Sequence, residues 1–451
     1  MEKFPNLDKY KIIHFIGIGG VSMSSLAMML KEKGKIVSGS DNTESPTTQM
    51  LKSGGIKVTI GHAYENAKNA ELIVYTAAIP DTNPELIYAK ENNIPTIERA
   101  VLLGAIMSSY KHSIAVSGTH GKTTTTSMIS SVFISADSDP TIHIGAHFDQ
   151  ISGNYKTGNS DFSIYEACEY VNSFLHFYPE TAVILNIDAD HLDFFKNLDN
   201  IKNAFLSFTE NVNDTGIVVI NGDDSNCKYV IDNCSRKTVT FGLSEKNDCY
   251  PINCRIESGC PVFDVVYKKE TIKNIHLSVP GEHNIINALA SICVSKHYGI
   301  DDKMIKDGLG KFKGASRRFE IKKYYNGAPI VDDYAHHPTE IKATISSARS
   351  SGYKNITVIF QSHTYTRTKF LMNDFARELS SADRVILTDI YSAREYNTVG
   401  ANIIDLKNMI ENSIYISNFE DIANYIKQNA TKDDIFILMG AGNINTVADL
   451  I

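Results

Sequence analysis

The chain has no Cys-x-x-Cys pair, no apolar run long enough to span a bilayer, no internal repeat and no low-complexity tract. The first absence argues against a zinc site or a dithiol redox centre. Its seven cysteines are odd in number and scattered. Reduced thiols are therefore expected, ahead of a metal cluster among Cys249, Cys254 and Cys260. Met1-Glu2-Lys3-Phe4-Pro5 opens no apolar secretory run, so a cytoplasmic protein without membrane insertion is expected. Positive charge is also lacking, with 44 basic against 52 acidic residues and a net charge of -8. That balance disfavours non-specific binding to nucleic acid.

What is present is ordinary globular composition, 43% hydrophobic and 21% charged over 451 residues. At roughly 150 residues per domain the length suggests about three domains. Strand-like and helix-like runs alternate. Lys11 to Ile16 reads as a strand, Val21 to Lys33 as a helix stopped by Gly34, and Lys35 to Ser38 as the next strand. Further strands are expected at 57–60 and 71–76, and a linker at Ser108 to Lys111. This is the βαβ rhythm of a parallel, doubly wound sheet. A second segment shows strands at 182–186 and 216–220, then an antiparallel excursion expected from about Lys228 to Val279, then a helix at 284–297. After a second linker near Gly314, alternation resumes. Strands are expected at 329–331, 356–360, 384–387 and 435–439, and helices at 338–349, 369–379 and 422–429.

Ser117-Gly118-Thr119-His120-Gly121-Lys122-Thr123-Thr124 joins a buried strand (113–117) to a helix (122–135). Glycines let such a turn fold tightly with its N–H groups inward, and a helix N-terminus favours an anion. Lys122 can reach terminal phosphates, and Thr123 places a hydroxyl where magnesium would sit. The common phosphate loop has another glycine five residues before Gly121. Here Val116 stands there, so the turn begins at Gly118. Capping threonines alone seldom produce Gly-Lys-Thr between a strand and a helix.

Gly17-Ile18-Gly19-Gly20 resembles a dinucleotide turn, with Ser22 in place of the third glycine and Ser40-Asp41 ending the next strand. A diphosphate site is expected there. Glu166-Ala167-Cys168-Glu169 and Asp188-Ala189-Asp190-His191 each follow an apolar run, where ligands of open sheets collect. A carboxylate and an imidazole there could hold magnesium together with Thr123. Asn284 and Asn287 share a helix face suited to a purine edge. Three successive strand ends carry polar clusters: Asp332 to Glu340, Gln361 to Thr368, and Asp389 to Glu395 with Arg394. Capping explains one such cluster but not easily three.

In order, the chain shows Gly-Ile-Gly-Gly, Ser-Gly-Thr-His-Gly-Lys-Thr-Thr-Thr-Thr, Asp-Ala-Asp-His, Gly-Glu-His-Asn-Ile-Ile-Asn-Ala, Arg317-Arg318-Phe319-Glu320 and Asp-Asp-Tyr-Ala-His-His-Pro-Thr-Glu. Together these resemble the Mur ligases of peptidoglycan synthesis over essentially the whole chain. The resemblance implies an α/β protein of three domains. Residues 1–110 would be a Rossmann-like domain for a UDP-sugar, and 111–314 a central ATPase with a mostly parallel sheet. Residues 315–451 would be a Rossmann-like domain binding the amino acid and part of ATP. It implies ATP and Mg2+ as cofactors, UDP-N-acetylmuramate and L-alanine as substrates, and an acyl-phosphate intermediate. Gly118, Thr119, His120, Gly121, Lys122, Thr123 and Thr124 would bind ATP phosphates, and Thr123, Glu169 and His191 the metal. His283 and Asn287 would lie near adenine, and Arg318 and Asp333 would also contact ATP, Asp333 at the ribose. Tyr334, His363 and Arg367 would face the amino acid. Gly17, Gly19, Gly20, Ser22, Ser40 and Asp41 would hold the UDP-sugar. Lys122, Glu169, His191, His363 and Arg367 would be catalytic.

Cys168 and Val171 replace carboxylates usual in the family, which removes a metal role from those two positions. Ser362 and Thr364 replace a usual proline and a frequent arginine. A recycling ligase attaching a tripeptide is the nearest alternative. It usually carries a Glu-Pro-Arg-Ser type of segment where this chain has Gln361 to Thr368. A non-catalytic nucleotide-binding regulator is the alternative of another class, and Lys122, Glu169 and His191 weigh against it. A dehydrogenase would leave the phosphate loop unexplained.

Overall fold

Alternating buried runs and capped helices build three sheets. The computed structural model describes residues 4–393 and 395–451, with only the backbone of Asp193. Met1, Glu2 and Lys3 of the N-terminal reading, and Arg394 of the third polar cluster, lie outside the described residues. The chain divides into two compact units, Met1–Asp248 with Ala290–Ile305, and Cys249–Leu289 with Lys306–Ile451. Among the described residues no helix is long and apolar enough to cross a membrane.

The first unit holds two sheets. In one, β1 (Ile12–Ile16), β2 (Ile36–Asp41), β3 (Lys57–Ile60), β4 (Leu72–Tyr75) and β5 (Thr96–Glu98) run parallel in the order β3-β2-β1-β4-β5. β1 is central and covered on both faces, so it reads as an unbroken apolar run apart from His14. Strand order reverses between β1 and β4, which opens a crevice beyond the carboxyl end of β1. The flanking helices start on local signals. Ser45 closes a capping box before Pro46, and the Asn83 carboxamide caps the helix that begins at Pro84.

The second sheet of this unit comprises β6 (His112–Ser117), β7 (Thr141–Phe148), β8 (Gly153–Lys156), β9 (Phe162–Glu166), β10 (Thr181–Ile184), β11 (Ile217–Asn221) and β12 (Lys237–Phe241). They lie in the order β12-β11-β10-β6-β9-β7-β8, all parallel except β8. The two sheets share one core through Leu102, Phe174, Phe205 and Phe208, all fully buried.

The second unit contains an antiparallel meander of β13 (Cys249–Glu257), β14 (Cys260–Tyr267) and β15 (Glu270–His276). Its larger sheet has β16 (Glu320–Tyr325), β17 (Ala328–Asp333), β18 (Asn355–Phe360), β19 (Arg384–Leu387), β20 (Ser413–Tyr415) and β21 (Asp434–Met439). The order is β16-β17-β21-β18-β19-β20, with only β16 antiparallel. Separate apolar clusters, one around Phe360 and Leu379 and the other around Ile422 and Phe436, include residues of this sheet.

Two readings of the sequence are corrected. The antiparallel excursion does not begin at Lys228, which lies in a helix, Ser225–Asn233. β12 pairs parallel with β11, and the antiparallel part is confined to β13–β15. The helix expected at 369–379 is two, Tyr365–Phe370 and Met372–Leu379, broken at Leu371.

Candidate functional site

The loop from Gly118 to Gly121 leaves the end of β6 and enters the helix Lys122–Ser135. Gly118 has φ +140° and Gly121 φ +83°, regions where a side chain is strained. A Cβ on Gly118 would also meet the Leu185 Cβ at 3.0 Å and the Asn186 nitrogen at 3.2 Å. The loop is braced from the end of β10. The His120 N–H donates to the Asn186 carboxamide oxygen at 2.8 Å, and the Asn186 amide donates back to the His120 carbonyl at 3.0 Å. The Asp188 N–H donates to the Thr119 hydroxyl at 2.9 Å, and the His120 imidazole meets the Asp188 carboxylate at 3.2 Å.

Lys122 folds back over this loop. Its ammonium donates to the carbonyls of Gly118 at 2.6 Å and Thr119 at 3.0 Å, and to the Glu169 carboxylate at 2.9 Å. Burial pulls the lysine pKa down, but the charge of Glu169, its hydrogen bond to the ammonium and the charge of Glu166 more than offset it, so the net shift is upward. Lys122 is therefore a held cation rather than an outstretched one. Burial, with Glu169 beside it, pushes the Cys168 thiol up to about 11. Cys168 is thus neither a carboxylate nor a thiolate at neutral pH.

The Thr123 hydroxyl donates to Glu166 at 3.0 Å, and the Gly145 N–H donates to the same carboxylate oxygen at 2.8 Å. The structure thus joins Thr123 to Glu166 and Lys122 to Glu169. Hydroxyl and carboxylate oxygens are the donors a hard divalent cation takes, so Thr123, Glu166 and Glu169 fit magnesium. His191 stands apart from these contacts. Its backbone is left-handed at φ +53°, and its ring lies 4.4 Å from that of Tyr170, the neighbour of Glu169. Sequence reasoning quoted Glu166 but selected Glu169, and it missed Asn186.

At the end of β1, the Gly17 and Ile18 N–H groups donate to the Ser40 carbonyl at 2.8 and 3.0 Å. The Gly19 N–H donates to Asp41 at 2.8 Å. A Cβ at Gly19 would sit 2.8 Å from the Asp41 carboxylate, so only glycine allows that approach. Beneath the turn lies Glu85, fully buried. It accepts from Ser40 at 2.7 Å and Asn66 at 2.9 Å, and pairs with His14 at 3.0 Å and His62 at 3.3 Å. Burial raises the Glu85 pKa, but these hydrogen bonds overcome it and set it at about 2.

In the second unit, the β17 end carries Asp333, whose carboxylate accepts from the Phe319 N–H at 2.9 Å and the Ala335 N–H at 2.8 Å. Burial pushes its pKa up to about 6, against the pull of Arg318. Two guanidinium groups lie over the Tyr334 ring, Arg317 at 4.9 Å and Arg318 at 5.3 Å from its centre. Arg317 also donates to the Gly440 and Gly442 carbonyls beyond β21. From the β18 end, the Arg367 guanidinium meets the His363 imidazole at 3.3 Å. The His363 ring stacks on Tyr391, which follows β19, at 5.7 Å. It also lies 6.1 Å from His336, which in turn is 5.4 Å from Tyr334. Three strand ends thus meet in one cluster, as their sequences suggested. Thr364 holds φ +68°, a strained value for a β-branched residue. Near the start of the helix His283–His297, Asn287 donates to Asn284 at 3.0 Å and Asn284 to the Pro280 carbonyl at 2.7 Å. Both side chains are buried, while His283 is exposed.

A phosphate loop on a parallel sheet, with a glycine turn on a second parallel sheet, defines a nucleotide-using α/β enzyme. Three family models match in chain order. "Mur ligase family, catalytic domain" covers residues 12–111, "Mur ligase middle domain" covers 116–295, and "Mur ligase, glutamate ligase domain" covers 317–442. The UDP-N-acetylmuramate–L-alanine ligase of Acetivibrio thermocellus is 49% identical over 100% of this chain and 98% of its own length. That of Caldanaerobacter subterraneus is 47% identical over 98% of both chains. The crystal structure of UDP-N-acetylmuramate-alanine ligase from Thermotoga maritima superposes with a TM-score of 0.82 at 29% identity, covering 98% of this chain and 97% of that one. A murein peptide ligase from Psychrobacter arcticus shares the fold, with a TM-score of 0.73 at 22% identity over 98% of both chains. The chain belongs to the Mur ligase family.

Proposed function

We propose that this protein joins L-alanine to the lactyl carboxylate of UDP-N-acetylmuramate, converting ATP to ADP and phosphate, in peptidoglycan precursor synthesis. One observation carries the reading: identity of 49% over the full chain with a ligase of that name. The phosphate loop around Lys122 is intact, which argues against a non-catalytic regulator. Residues 1–110 take the UDP-sugar, 111–314 the ATP, and 315–451 the amino acid and part of ATP. The enzyme works in the cytoplasm.

In the reaction a carboxylate oxygen attacks the γ-phosphorus and ADP leaves. The amine of alanine then attacks the acyl carbon, phosphate leaves and the amine loses its proton. Asn186 holds the N–H groups of Thr119 and His120, so those of Gly121, Lys122 and Thr123 at the helix start are the ones that meet the phosphates, and Lys122 neutralises charge on the moving phosphoryl group. Glu169 holds the Lys122 ammonium over the loop before ATP arrives. Thr123, Glu169 and His191, with Glu166 added by its contact to Thr123, would hold magnesium, which when bound offsets charge on the phosphate oxygens. His283, Asn287, Arg318 and Asp333 are assigned to the nucleoside, and Tyr334, His363 and Arg367 to the amino acid. Arg367 supplies a cation for its carboxylate. Gly17, Gly19, Gly20, Ser22, Ser40 and Asp41 are assigned to the UDP-sugar.

A phosphate-release assay with UDP-N-acetylmuramate and a panel of amino acids tests the reading. Release is expected with L-alanine and only when both acceptors are present. Release driven instead by a tripeptide would make the protein a recycling ligase, and nucleotide binding without turnover would make it a regulator.

A further inference from the structure

Of the three strand ends that meet in the second unit, two supply the residues assigned to the amino acid. Tyr334 follows β17, and His363 and Arg367 follow β18. The third, beyond β19, carries Tyr391. Its backbone is clamped to the β18 end. The Tyr391 N–H donates to the Ser362 carbonyl, and its carbonyl accepts from the Thr364 N–H, both at 2.8 Å. Farther on, Glu395 accepts from the Thr366 N–H at 3.0 Å, in the first turn of the helix Tyr365–Phe370, whose N-cap Thr364 gives no side-chain cap. The chain beyond β19 is thus anchored at two points to the segment that bears His363 and Arg367.

The Tyr391 ring has little freedom of its own. It stacks on His363 at 5.7 Å with 23° between the planes. It also lies against Gly442, beyond β21, where a Cβ would come within 2.7 Å of the Tyr391 Cγ. Gly442 is held in turn by Arg317, which donates to its carbonyl at 3.1 Å. The Tyr391 hydroxyl takes no part in either contact.

The stack matters because of where the His363 proton lies. A guanidinium only donates, so in the 3.3 Å contact with Arg367 it is His363 Nδ1 that accepts. The ring proton is then on Nε2. The direction of that N–H follows the plane of the imidazole, and the plane is set by the ring stacked on it.

We infer that Tyr391 is a positioning residue for the amino-acid site. Its ring fixes the plane of His363, and so the direction in which Nε2–H is offered, alongside the Arg367 guanidinium, to the carboxylate of L-alanine. This rests on the assignment of His363 and Arg367 to the amino acid.

The test is steady-state kinetics of the full chain, with nuclear magnetic resonance of histidine-labelled protein beside it. Tyr391→Leu should raise KM for L-alanine roughly three- to tenfold. KM for ATP and for UDP-N-acetylmuramate should stay at the parental values. Tyr391→Phe keeps the ring and should restore the alanine KM. Gly442→Ala crowds the Tyr391 ring and should raise the alanine KM as well. The His363 ring protons, identified by their loss in His363→Gln, should move downfield in Tyr391→Leu as the shielding of the stacked ring disappears. A parental alanine KM in Tyr391→Leu, or an equal rise for all three substrates, overturns the inference. Should Tyr391→Leu not fold, Gly442→Ala carries the same comparison with the same overturning results. A parental alanine KM in folded His363→Gln would instead overturn the assignment of His363 to the amino acid, and the inference with it.

Discussion

Lys122 is held by three acceptors before any nucleotide arrives, two carbonyls of its own loop and the Glu169 carboxylate. Removing the ammonium leaves Glu169 buried without its cation. Lys122→Ala should therefore lower turnover by at least about a hundredfold and cost some stability as well. Near-parental ADP production by folded Lys122→Ala would remove the loop from the mechanism. Glu169→Gln keeps the shape but releases the lysine, so it should shift the magnesium dependence of turnover to higher concentration. An unchanged magnesium curve would show that Glu169 serves the lysine alone. Asp333 has a different signature. Its folded pKa of about 6 lies above the ordinary aspartate value because burial outweighs Arg318. Folding therefore favours the protonated form. The stability from that group is full below about pH 4 and is lost as pH rises through about 6. Relative to Asp333→Asn, the parent should lose up to about 3 kcal/mol between pH 4 and pH 7. Urea unfolding at the two pH values measures it, and a pH-independent difference would contradict the buried carboxyl.

At the level of elements, the turns carry the constraint. Gly118→Ala would place a methyl against Leu185 and Asn186 at an unfavourable φ. It should impair ATP binding more than it destabilises the sheet, as titration with ATP beside thermal unfolding would show. Glu85 joins β1 through His14, β2 through Ser40, and the segment after β3 through His62 and Asn66. Glu85→Ala should destabilise the first unit by about 3–5 kcal/mol, and parental urea unfolding would refute that.

The same elements explain what the sequence made legible. β1 and β6 read clearly because a central parallel strand must be apolar on both faces, and Gly-Lys-Thr read clearly because few other settings need it. β12 was misassigned because Lys-Thr-Val-Thr-Phe alternates like an antiparallel edge strand, whereas its pairing with β11 is parallel. β7 and β8 escaped notice because their histidines, glycines and polar residues hide the period. Asn186 could not be found, since its function is a pair of hydrogen bonds to His120, which no local pattern encodes. The three strand-end clusters were legible as polar, but not the stacking of His363 on Tyr391.

Across the whole molecule, the two units are interleaved in sequence. Residues 290–305 count with the first unit, although Cys249–Leu289 before them belong to the second. The return segment is tied in by Tyr298, whose hydroxyl meets Thr181 at 2.8 Å and Glu180 at 3.0 Å, and whose ring packs on Phe162 at 5.2 Å. A fragment ending at Asp248 should therefore unfold at a lower temperature than one ending at Gly314, which keeps Tyr298. Equal melting of the two would mean that the return segment adds nothing.

The interleaving also sets a schedule for biosynthesis. A ribosome extrudes the chain from its amino end at roughly 5–20 residues per second. β1 to β12 are all out before Tyr298 is made, so the first unit waits, nearly finished, with the side of β10 at Thr181 and Glu180 uncovered. During those few seconds the nascent chain is exposed to chaperones and proteases in a way that the completed protein is not.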